Sequence, residues 1–141
     1  MIQRPQTVFL LLGAALLVAF AALALAWLPG VATVTGVYET ATTVVAALAA
    51  VVALGAVFLY KDRPRQRRVI GIAQVLALVS VVPLLVGLFQ AAPGAEDALM
   101  EETAGPYLVA LLPIVAYVLL RMARRGVDRD IATVRSMDRL R

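Results

Sequence analysis

Long uncharged apolar stretches alternate with tight basic clusters along this chain, and that alternation admits few folds. The thirteen Lys and Arg residues fall into three groups. Arg4 stands alone; Lys61, Arg63, Arg65, Arg67 and Arg68 form the second group; Arg121, Arg124, Arg125, Arg129, Arg135, Arg139 and Arg141 form the third. The intervening connections carry Glu39, Glu96, Asp97, Glu101 and Glu102 and no base. A run of about 18 uncharged apolar residues rises far enough, as a helix, to cross a hydrocarbon core of roughly 30 Å. The spacing therefore predicts four transmembrane helices over about 7–28, 40–60, 69–89 and 106–123, with Arg121 snorkelling at the end of the short last one. The predicted connections lie near 29–39, 61–68 and 91–105, and a basic amphipathic tail fills 124–141.

Composition excludes the other classes. The chain is 62% apolar, against about half for soluble proteins, and has a mean hydropathy of +0.91. Its pI near 10.1 is not a nucleic-acid footprint, because the bases are interleaved with membrane-length runs and not gathered on one soluble module. The absence of Cys and His removes thiol nucleophiles, imidazole bases, disulfides and the commonest transition-metal ligands. No cofactor, metal or catalytic constellation is expected, and the chain is read as a non-enzyme.

The charge split also predicts orientation. Short loops rich in Lys and Arg stay cytoplasmic, which puts both termini and the Lys61–Arg68 loop on the cytoplasmic side of the membrane. A rival reading takes Arg4, the first apolar run and Ala24-Leu25-Ala26 as a secretory signal, which would leave three helices. The run is longer than a usual signal core of about 7–15 residues, which favours a retained helix. Trp27 is expected at the interface and Pro29-Gly30 as the helix stop.

No predicted span carries an ionisable residue at its centre, where such groups are costly and mark proton or ion paths. The polar residues left inside are few, chiefly Thr42, Thr43, Gln74, Ser80 and Tyr117. Gln74 is read as an interhelical hydrogen-bonding amide, with a substrate contact as the alternative. Helix two carries Ala46, Ala47, Ala49, Ala50, Ala53, Gly55 and Ala56. The four-residue pairs Ala46/Ala50 and Ala49/Ala53 suit close helix packing within the chain, or association with a second copy or a larger membrane complex. Pro83 and Pro113 each remove a backbone donor mid-helix, from the carbonyls of Val79 and Val109, and predict bends.

The basic residues are candidate contacts for anionic headgroups on the cytoplasmic side, or for a partner: Lys61, Arg63, Arg65, Arg67 and Arg68 in the loop, and Arg121, Arg124 and Arg125 after helix four. The acids Glu96, Asp97, Glu101 and Glu102 read as a solvated outer loop without a calcium-loop pattern. Past Gly126, Val127, Ile131, Val134 and Met137 recur at helical spacing and predict a short amphipathic helix lying on the membrane, on the bundle or on a partner.

Three segments carry a family likeness. The opening Met1-Ile2-Gln3-Arg4-Pro5-Gln6-Thr7, the loop Leu59-Tyr60-Lys61-Asp62-Arg63-Pro64 and the closing Val134-Arg135-Ser136-Met137-Asp138-Arg139-Leu140-Arg141 resemble an uncharacterised family of small four-helix membrane proteins of Bacteroidetes-like bacteria. That resemblance implies a bacterial inner-membrane protein and transfers no catalytic residue. The resulting expectation is an all-α integral membrane four-helix bundle acting as an accessory or scaffold subunit, and no nucleic-acid partner. A small transporter or channel with kinked helices three and four is the alternative.

Overall fold

The computed structural model describes residues 5–27, 36–89 and 105–138, all of them helical apart from short turns. Five helices occur among these residues: α1 (Pro5–Trp27), α2 (Gly36–Phe58), α3 (Arg63–Val79), α4 (Val81–Phe89) and α5 (Gly105–Asp138). The segments Gln6–Leu25, Gly36–Phe58 and Arg63–Val86 are each long and apolar enough to cross a membrane. The expected fourth crossing is not among these three. Its apolar part, at the start of α5, is the shortest, because Arg121, Arg124 and Arg125 follow Leu120 closely.

Two predicted boundaries shift for local reasons. The basic segment, expected as a loop over 61–68, is mostly the first two turns of α3. Asp62 caps that helix by accepting from the Arg65 N–H at 3.1 Å, and Pro64 sits where a missing amide proton costs nothing. Only a tight turn remains, closed by Leu59 N–H to Ala56 O at 3.3 Å and Asp62 N–H to Leu59 O at 3.0 Å. The tail, expected as a separate short helix after Gly126, continues α5 without a break to Asp138.

The prolines act differently. Ser80 separates α3 from α4, three residues before Pro83, whose ring nitrogen has no proton for the Val79 carbonyl. The Ser80 hydroxyl donates back to Ala77 O at 2.7 Å. Pro113 is buried inside an unbroken α5.

α1 packs between α2 and α5, and α3 closes the circuit by packing on α2 and α5 as well. The interior is made of small side chains. Ala46, Ala49, Ala50, Ala53 and Ala56 of α2 are all buried, beside Ala14, Ala73, Ala77, Ala116 and Ala123 of the other helices. Leu10, Leu17 and Leu120 fill the space nearer the charged end, and Phe20, Leu84 and Val109 the space toward the other. Many other large apolar residues point outward: Phe58 is 81% exposed and Val51 65%. A soluble domain has the opposite arrangement, since exposed apolar area costs free energy in water. In lipid that cost vanishes, and close approach of small-residue faces holds helices together through van der Waals contact.

The interfacial setting of Trp27, the stop at Pro29-Gly30, the acidic connection Glu96–Glu102 and the place of Met137 lie outside the described side chains.

Candidate functional site

Three parts of the chain meet at one end of the helices: the start of α1, the α2–α3 turn with the first turns of α3, and the second half of α5. Cross-element contacts fasten them. Arg67 Nε lies 2.6 Å from Asp128 Oδ1. Gln6 Nε2 donates to Asp130 Oδ2 at 3.2 Å, and Arg63 Nη1 donates to the Asp130 backbone carbonyl at 3.3 Å. Gln66, only 3% exposed, donates to Ala56 O at 3.0 Å, a second donor to the carbonyl that also closes the α2–α3 turn with the Leu59 N–H.

Glycine makes room for two of these polar groups. A Cβ on Gly126 would stand 3.1 Å from Gln6 Cβ, so the absence of a side chain at Gly126 lets Gln6 pass close over α5. A Cβ on Gly71 would stand 3.3 Å from Arg124 Nη1. Arg124 thus turns inward over Gly71 and donates to Gln74 Oε1 at 3.3 Å. Gln74 is 4% exposed, and its Nε2 has no acceptor among the described residues. A polar contact between membrane helices is worth about 0.6 kcal/mol, whereas a cation at the bilayer centre costs roughly 2.5–3.5 kcal/mol. The pair therefore belongs near the interface, where the Arg124 side chain reaches headgroups or water.

Between the three parts lies an open cleft of about 830 Å³. Lys61, Arg63 and Arg135 give it positive charge, and among the described residues no carboxylate lines it. Gln6, Thr7, Tyr60 and Gln66 add polar atoms, while Pro64, Ile131 and Val134 supply an apolar wall. Lys61 Nζ stands 5.9 Å from the Tyr60 ring centroid. Among the described residues neither Lys61 nor Arg135 is paired with an acid.

A comparison of the whole chain with known families decides its kinship. The chain belongs to the DUF4293 family, a domain of unknown function. The match runs over residues 2–140 and so includes the α2–α3 turn and the α5 extension as well as the apolar helices. No curated protein and no solved structure matches the chain.

In this DUF4293 chain the predicted contact residues have different surroundings. Lys61 and Arg63 face the cleft, Arg65 is held at 2.9 Å by the capping Asp62, and Arg67 is tied to Asp128. Arg68, Arg121 and Arg125 are exposed, and Arg124 is engaged with Gln74. Gln6, Tyr60, Gln66 and Arg135 were not singled out by the sequence. Arg135 had one available signal: it follows Ile131 by four residues and so borders the apolar stripe of the same helix. Gln6 had none, since its partner Asp130 is distant in sequence.

Proposed function

We propose that this DUF4293 chain is a non-enzymatic protein of the bacterial inner membrane, crossing it four times with both termini inside. It acts as an accessory or scaffold subunit that offers a fixed polar end to other membrane components. The fourth crossing is the apolar first half of α5, and the positive-inside distribution of Lys and Arg sets the orientation. The observation that carries the reading is the gathering of cross-element polar contacts at one end, over a helix interior of alanine, leucine and phenylalanine. Selective contacts belong where polar side chains are held in place. The exposed bases Arg68, Arg121 and Arg125 then rest against anionic headgroups, at about 1 kcal/mol each.

Photo-crosslinking in cells tests this reading, with a reactive residue placed at Arg129 or Ser136, which are exposed on the α5 extension. The reading expects one recurring adduct, to another membrane protein or a second copy. A protein that purifies as a strict monomer in mild detergent and yields no recurring adduct sinks it.

A further inference from the structure

We propose that the cleft between the start of α1, the α2–α3 turn and the α5 extension is a binding site for one anionic lipid, with its phosphodiester held by Lys61, Arg63 and Arg135. This goes deeper into the same end of the molecule and rests on that end lying at the inner leaflet. Diffuse attraction by surface bases needs no concavity, whereas this feature is an open cleft with one apolar side.

Depth follows from the helices themselves. Gln6 opens the first membrane-length segment, Tyr60 and Lys61 follow the second after Leu59, and Arg63 opens the third. Their shared cleft therefore lies on the headgroup side of the apolar spans, where Arg135 reaches it from the part of α5 beyond Leu120. A volume of about 830 Å³ falls within the usual range of roughly 300–1,000 Å³ for small-ligand sites, enough for a headgroup and its glycerol. Charge selects the ligand: among the described residues three cations and no acid line the cleft, and a basic pocket between membrane helices is a recurrent way to hold a phosphate headgroup.

The apolar side of the cleft argues for a lipid over a soluble phosphate. Tyr60 is 63% exposed and Val134 43%, each beside a cation, and a small hydrated anion gains nothing from either. An amphiphile covers both with its glycerol and upper acyl carbons while its phosphate meets the bases. Arg63 donates one hydrogen bond, to the Asp130 carbonyl, out of five possible donors, so capacity remains for a phosphate oxygen.

Native mass spectrometry of the full chain in mild detergent, titrated with phosphatidylglycerol, phosphatidylcholine or inorganic phosphate, tests the site. One phosphatidylglycerol should be retained and saturate at a single copy, phosphatidylcholine should not be, and millimolar inorganic phosphate should not displace the lipid. The combined variant Lys61→Gln/Arg63→Gln/Arg135→Gln should weaken that copy on the order of a hundredfold. Arg68→Gln/Arg125→Gln/Arg129→Gln removes equal charge from exposed positions outside the cleft and should shed only additional, loosely held lipid. Arg135→Glu alone guards against misfolding, since Arg135 is exposed and unpaired among the described residues; it should weaken the tight copy tenfold or more. Equal loss from both triple variants, or binding without saturation at one copy, overturns the site and leaves the accessory reading standing. Displacement by inorganic phosphate overturns the lipid as occupant. A missing crosslinked partner, by contrast, leaves the lipid result untouched.

Discussion

The Gln6 amide donates to the Asp130 carboxylate across 3.2 Å and joins side chains 124 positions apart. The contact closes the circuit of helices by pinning the first turn of α1 to the extension of α5. It passes close over Gly126, where a bulky side chain would displace it.

Gly126→Leu should push Gln6 aside and destabilise the folded chain by about 1–3 kcal/mol, the usual cost of overpacking a tight contact. Gly126→Ala should cost less, since a shift of a few tenths of an ångström accommodates one methyl group. Denaturant titration in detergent, followed by helical signal, measures both. Equal stability of wild type and the leucine variant would show that α1 and α5 do not approach this closely.

The Arg67–Asp128 pair is short but half-exposed, with side chains 50% and 42% accessible. Water screens such a pair, so a double-mutant cycle with Arg67→Gln and Asp128→Asn should give a coupling of only about 0.2–1 kcal/mol. A coupling near zero would mean the two residues are not held together in solution.

Helix α2 offers a test of the small-residue interior. Ala53 is fully buried and Ala47 is exposed on the outer face. Ala53→Leu should cost about 1–3 kcal/mol by forcing helices apart, while Ala47→Leu should stay within about 0.5 kcal/mol of wild type. The same unfolding titration reports both, and reversed sensitivities would mean that α2 presents its other face to the interior.

The chain contains no cysteine, so single cysteines report topology without background. Arg65→Cys and Ser136→Cys should resist a membrane-impermeant maleimide in spheroplasts and react only after permeabilisation. Thr33→Cys, in the connection after α1, should react at once. Labelling of all three from outside, or of Thr33→Cys alone from inside, contradicts the proposed orientation.

Periodicity, span length and the alanine face of α2 were legible in the sequence, because each depends on side chains near one another along one helix. Two local signals lay in plain view and were outweighed. Asp62 followed by Pro64 is a helix start, yet the density of charge made Arg63–Arg68 resemble a loop. Gly126 resembles a helix stop, yet α5 runs through it and the glycine leaves room for Gln6. The site was less legible. The inward turn of Arg124 depends on the missing side chain of Gly71 on another helix, and the cleft depends on Gln6, Tyr60 and Arg135 arriving from three separate elements. Nothing in their spacing announces that meeting.

α5 has a mechanical consequence of its own. Its 34 residues make a rod of about 50 Å, well beyond the roughly 30 Å of a hydrocarbon core. Because no hinge divides it at Gly126, the half that carries Arg135 cannot be aimed independently of the half packed against α1. The angle at which the helix stands among its neighbours also fixes where its far tip points.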